Sequence, residues 1–154
     1  MSLTPLIPAR QAALGALTPA PPQPVPLSQA HGRFLACAIS AGRALPGCDN
    51  SAMDGWAVRS EETRGATRDR PARLRIVDTV YAGALPSRAI GPGEAARIFT
   101  GAPVPPGADA IVRQEAAHAE PDGQVRVFIT VPVGHDIRRA GEEVVAGTAL
   151  FSAG

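Results

Sequence analysis

The chain contains no lysine. All 15 of its basic residues are arginines, and they face 14 aspartates and glutamates for a net charge of +1. No run of basic residues reaches five, and aromatics amount to one Trp, one Tyr and four Phe. Nucleic acid needs a basic stripe or a row of stacking rings, so it is not an expected partner. The arginine-only usage most simply reflects codon bias, although arginine also favours bidentate contacts with phosphate and carboxylate. Cysteine is scarce as well. Cys37 and Cys48 match no metal spacing, and a chain of 154 residues needs no disulfide to fold, so both are expected as free cytosolic thiols. No stretch approaches the roughly 18 apolar residues of a membrane span, and no signal peptide is visible, which predicts a cytoplasmic protein without membrane contact.

Glycine and proline are abundant, at 16 each, while 45% of residues are hydrophobic. That combination predicts turns punctuating a packed, β-rich chain rather than disorder. The length suits one domain, or one domain plus a docking segment, since domains run about 100 to 200 residues. Residues 1–17 carry a weak helical pattern through Ile7, Gln11, Leu14 and Leu17. Thr4 could cap that helix, and Pro5 and Pro8 should delay its start. Residues 18–26 hold five prolines and read as an extended connector. Ser28 is placed to cap a short turn, and residues 34–40 have strand character.

From residue 41 the pattern becomes short strands between turns. Candidate strands are 56–59, 73–81, 95–99, 110–113 and 124–131, separated by turn sequences such as Gly91-Pro92-Gly93 and Pro121-Asp122-Gly123. Arg73 to Ile76 and Val125 to Phe128 alternate polar with apolar, as half-buried strands should. The expected fold is mainly β, a barrel-like or sandwich-like domain with a short N-terminal helical segment. The predicted organisation is a helical segment and linker over 1–40, a β-rich domain over 41–147, and a short return segment over 148–154.

Three segments hold residues that could do chemistry. In Pro46 to Val58, two carboxylates, an amide and a hydroxyl lie between Asp49 and Asp54, followed by Gly55, which can take positive φ and allow close backbone approach to a ligand. Such a cluster suits oxyanion or cation handling, but also an Asx-rich turn capping its own backbone. In Ala96 to Val112, a strand ending in Thr100-Gly101-Ala102 offers a hydroxyl and a run of backbone N–H groups, a workable nest for a phosphate or similar oxyanion, or a plain turn. In Gly134 to Glu143, the paired Arg138 and Arg139 could hold an anionic substrate and a carboxylate could hold Mg²⁺, or the loop could simply be solvated. On residue types alone the plain reading is favoured in all three.

Together the three segments resemble one family. Asp-Asn-Ser-Ala-Met-Asp-Gly-Trp-Ala-Val at 49–58, Thr-Gly-Ala-Pro-Val-Pro-Pro-Gly-Ala-Asp-Ala at 100–110 and Asp-Ile-Arg-Arg-Ala-Gly-Glu-Glu at 136–143 are similar to the three signatures of the MoeA and gephyrin E-domain family, in order and at about its spacing. Residues 27–36, with Gly32-Arg33 and Leu35-Ala36, also resemble that family's N-terminal segment.

The resemblance implies part of a cytoplasmic molybdopterin molybdenumtransferase of molybdenum cofactor biosynthesis. Such an enzyme inserts molybdate into adenylated molybdopterin with Mg²⁺ and releases AMP. It further implies a homodimer whose clefts are shared between this β-rich domain and the α/β pterin-binding domain of the other subunit, a domain absent from these residues, so that the fragment itself would be inactive. The implied catalytic residues are Asp54, Thr100 and Glu143, with Asp54 and Glu143 as metal ligands. Asn50, Ser51, Gly101, Arg138 and Arg139 are the implied binding positions. Glu143 stands where the family usually has Asp, one methylene shorter, and Asp136 where Asn is common. Trp56, beside Asp54, is expected to fill the core rather than stack on the pterin. The alternative is a non-catalytic binding or scaffolding module that keeps the family's β domain.

Overall fold

A computed structural model describes residues 5–18 and 20–154. With 28% strand against 13% helix, the chain is mainly β, with one N-terminal helix and a curled half-barrel sheet. It divides into two compact units, residues 1–39 with 151–154, and residues 40–150.

In the first unit, helix α1 spans Leu6–Gly15, with Pro5 as its N-cap and no buried residues. It starts earlier than expected because Pro8 falls in the first turn, where its missing N–H has no helical partner to lose. The Thr4 cap lies outside the described residues. The described part of 18–26 has no regular structure. Ser28 is not a cap: it lies inside the single 3₁₀ turn Leu27–Gln29, whose N-cap is Pro26.

The strands are β1 (Ile39–Ser40), β2 (Asn50–Ser51), β3 (Gly55–Val58), β4 (Ala72–Val80), β5 (Glu94–Ile98), β6 (Ala110–Arg113), β7 (Ala117–Ala119), β8 (Gln124–Val127), β9 (Ile137–Arg138) and β10 (Ala149–Phe151), of which β2 to β9 lie wholly in the second unit. Six of them form one sheet in the order β6-β3-β5-β4-β8-β7, while β1 with β10 and β2 with β9 make two-stranded pairings. All neighbours in the large sheet are antiparallel except β4 with β5, which run parallel with an irregularity between Ile76 and Asp78.

The central strands are buried on both faces, so they read as apolar runs rather than alternation. Trp56 and Val58 pack with Leu74, Ala95, Val112, Val125 and Val127 on one face, and Trp56 is 6% exposed, a core residue. Ala57, Val80, Ala96, Ile98, Ala102 and Ile111 pack on the other. Two expected strands are shorter than predicted. Only Ile39–Ser40 of 34–40 is strand, and the strand from Gln124 stops at Val127. Beyond it the chain turns toward Thr63, whose hydroxyl accepts the Val131 N–H at 3.0 Å and whose carbonyl accepts the Thr130 hydroxyl at 2.9 Å.

Candidate functional site

The three motif segments meet through their backbones. Strand β2 lies against β9, pairing Asn50 with Arg138 and Ser51 with Ile137. On its other side the Ser51 N–H donates to Ala102 O at 2.9 Å, the Gly101 N–H donates to Ser51 O at 2.8 Å, and Asn50 bridges to Pro103. The Ala52 N–H closes the set by donating to Asp136 O at 2.8 Å. A two-residue strand thus holds together segments that are distant in sequence.

Asp54 follows directly. Its Oδ1 accepts both the backbone N–H and the hydroxyl of Thr100, each at 2.8 Å, while its Oδ2 has no partner among the described residues. The Thr100 N–H, then the Thr100 hydroxyl, hold this carboxyl below the usual range against partial desolvation, with the Arg97 charge adding to the effect. Asp54 is half-buried beside the exposed Thr100, an ionised carboxylate with one oxygen fixed and one free.

A second carboxylate, Asp49, accepts the Ala140 N–H at 2.8 Å and Arg139 Nη1 at 2.6 Å. The Ala140 N–H is the larger cause of its lowered pKa, followed by Arg139. Arg139 is therefore paired, whereas the exposed Arg138 has no side-chain partner among the described residues. A third, Asp136, stands at φ +52 and accepts Arg113 in a fork, at 2.7 Å to Nε and 3.0 Å to Nη2. Hydrogen bonding from Arg113 holds its carboxyl low.

Several expected placements change. The Thr100 turn is not an open nest: the N–H groups of Thr100, Gly101 and Ala102 donate to Asp54, Ser51 and Phe99. The Thr100 hydroxyl likewise donates to Asp54 and so orients the carboxylate. Ser51 is fully buried, its hydroxyl donating to Met53 O at 2.5 Å, so it has no surface to offer a ligand. Gly55 is needed for close approach, but to protein. A Cβ there would lie 2.1 Å from Val112 O across the β3–β6 ladder. Asn50 donates to Cys48 O at 3.4 Å, and its Oδ1 is buried without a partner among the described residues. Gly101 takes φ +81. Glu143 is exposed, its N–H donating to Leu45 O at 3.0 Å.

Sequence reasoning did not single out Arg97, Arg113 or Gln114. Arg97 was the most legible of them, a lone charge in the otherwise small and apolar run Ala95-Ala96-Arg97-Ile98 of a central strand. Among the described residues no group of three or more His, Cys, Asp or Glu could hold a metal, and no helix is long and apolar enough to cross a membrane.

Comparison with known proteins gives one family. The family described as "MoeA N-terminal region (domain I and II)" matches residues 5–154. Molybdopterin molybdenumtransferase 2 of Mycobacterium tuberculosis is 45% identical over 133 residues, covering 86% of this chain and 33% of that protein. The molybdopterin molybdenumtransferase of Synechococcus elongatus is 42% identical, covering 84% of this chain and 32% of that protein. A crystal structure of the molybdopterin biosynthesis moeA protein from Pyrococcus horikoshii OT3 superposes with a TM-score of 0.79 at 34% identity, over 84% of this chain and 34% of that one. The chain thus spans about a third of the length of the curated relatives it matches. Matched over nearly its whole length, with three motif segments joined through β2, the chain belongs to the MoeA family and corresponds to its N-terminal region.

Proposed function

We propose that this chain supplies the β-domain wall of a molybdopterin molybdenumtransferase, an enzyme of molybdenum cofactor biosynthesis that inserts molybdate into adenylated molybdopterin with release of AMP. The observation that carries this reading is the Asp54–Thr100 clamp. It joins the first two motifs and leaves the other carboxylate oxygen without a partner among the described residues. Named relatives that share 42–45% of their residues with the chain support it.

In this reading catalysis comes from positioning and charge, with no covalent nucleophile. The residues present suit Mg²⁺, which takes one or two protein carboxylates and completes its shell with substrate phosphates and water. Asp54 would hold it through Oδ2, which has no partner among the described residues, while Glu143, the other carboxylate expected, is exposed and its backbone is tied to Leu45. Bound there, the ion would neutralise phosphate charge on the adenylated substrate. Thr100 keeps Asp54 ionised and aimed. Arg138, unpaired, is the better phosphate contact, and Arg139 instead fixes the turn through Asp49. Asn50 and Gly101 join the same two motifs, through the Asn50–Pro103 bridge and the Gly101 N–H bond to Ser51 O.

The site is open on this chain alone, which fits a cleft completed by an α/β pterin-binding domain of a second subunit. Helix α1 supports association: Leu6, Ile7 and Leu14 are 82%, 70% and 56% exposed, more apolar surface than a lone helix leaves to water. The balanced charge and free Cys37 and Cys48 fit a cytoplasmic homodimer.

The test is AMP release from adenylated molybdopterin given molybdate and Mg²⁺, with this chain and the complete product of its gene assayed side by side. Activity in the complete product alone is expected. Inactivity in both, with the precursor still bound, would replace this reading with a binding or scaffolding module.

A further inference from the structure

Arg97 lies on β5 directly opposite Trp56 of β3. Its Nη1 donates to Gly55 O at 3.1 Å, and its Nη2 donates to the side-chain oxygen of Gln114 at 2.8 Å. Gly55 follows Asp54 in the chain, and the Gln114 N–H donates to the carbonyl of Asp54 at 3.0 Å. The same guanidinium lies over Trp56 at 5.2 Å and over Phe99, the residue before Thr100, at 4.8 Å. Phe99 is itself stacked on Tyr81, with centroids 5.0 Å apart and planes 8° from parallel.

We infer that Arg97 is the positioning residue of the site: one rigid fork grips Gly55, the residue after Asp54, and Gln114, whose N–H holds the Asp54 carbonyl, while its face pins the residue leading into Thr100. Its functional meaning rests on the reading of Asp54 as the ligand-facing carboxylate. The brace itself does not. Two acceptors and two rings around one half-buried side chain leave it little rotamer freedom, so the spacing between Asp54 and Thr100 is set by Arg97 rather than by the exposed loop. Lysine, with one nitrogen on a flexible stem, cannot span both acceptors or stack as a plane.

The readout is the Thr100 amide, whose proton bonds to Asp54 Oδ1. In both Arg97→Lys and Arg97→Met, hydrogen exchange at Thr100 should quicken by about tenfold or more as that bond loosens. Arg75→Met, which removes a cation paired to Glu94 in the same sheet, should leave Thr100 unchanged while lowering melting temperature comparably. In the complete gene product, Arg97→Lys should lower kcat by up to about 100-fold, the scale of a small misplacement, with KM little changed. Unaltered exchange at Thr100 in the folded Arg97→Lys protein overturns the inference, whatever the AMP-release assay shows. Altered exchange together with a silent assay upholds the brace and counts against the proposed function instead.

Discussion

Asp54 and Thr100, distant in sequence, are joined by two hydrogen bonds of 2.8 Å to a single carboxylate oxygen, one from the backbone and one from the hydroxyl. Because two donors saturate Oδ1, the other oxygen keeps its lone pairs and its direction.

Removing one donor should therefore be measurable. Thr100→Val keeps the backbone donor and the shape but loses the hydroxyl, so the Asp54 carboxyl should titrate higher than in the native chain. Thr100→Ser should restore most of the difference. The sign follows from the native state, in which both Thr100 donors lower this pKa. Carbon-13 titration of the Asp54 carboxyl carbon tests it, and an unmoved pKa in Thr100→Val would refute the clamp.

Gly55 makes a stability prediction without reference to function. A methyl group there would meet Val112 O at 2.1 Å and Val112 C at 2.9 Å, both backbone atoms in a ladder that cannot yield. Gly55→Ala should cost about 3 kcal/mol or more, at the upper end of overpacking effects. Urea denaturation measures this, and a loss under about 1 kcal/mol would mean that β3 and β6 can separate freely.

Asp136 combines a backbone demand with an ion pair. At φ +52 it occupies the left-handed region, which Asn and Asp tolerate and Ala does not, and its carboxylate receives the Arg113 fork. Asp136→Asn should lose the ion pair alone, and Asp136→Ala should lose about 1 kcal/mol more through the backbone. Arg113 is half exposed to water, which keeps the ion-pair share small. The native pKa of Asp136 lies below the unfolded value of 3.8, so the pair stabilises the fold fully above that value. The contribution disappears as pH falls through the depressed native pKa. The gap between wild type and Asp136→Asn should thus close in strong acid, below the depressed native pKa. A gap that persists there would contradict the assignment.

The neighbouring arginines should separate by role. Arg139→Ala breaks the Asp49 pair and should loosen the turn at Ala140, seen as faster exchange of the Ala140 amide. Arg138→Ala should leave stability within about 0.5 kcal/mol, as exposed substitutions do, yet weaken binding of the anionic substrate by the complete gene product. Equal effects of the two on stability and binding would erase the distinction.

The strands of the large sheet other than β7 were legible because hydrophobic runs between proline and glycine turns mark them. Residues 110–113 agree end to end, and 73–81 and 95–99 agree within one residue. Strands β2 and β9 were not legible. Each has two residues and exists only because Asn50 and Ser51 meet Arg138 and Ile137 in three dimensions, with no local periodicity to show it. The site was partly legible for the same reason. The segments holding Asp54 and Thr100 stood out by residue type, but the saturation of the Thr100 turn and the burial of Ser51 depend on hydrogen bonds between segments. Arg97 looked like an ordinary strand charge because its two acceptors, Gly55 and Gln114, come from other strands and turns.

The most direct test is AMP release by the complete gene product carrying Asp54→Ala, assayed with adenylated molybdopterin, molybdate and Mg²⁺ and checked for an unchanged melting temperature. A loss of roughly 100-fold or more in kcat is expected if the free oxygen of Asp54 faces the reacting phosphates or metal. Wild-type rates in a folded Asp54→Ala enzyme would contradict the account, leaving the Asp54–Thr100 clamp as a structural turn.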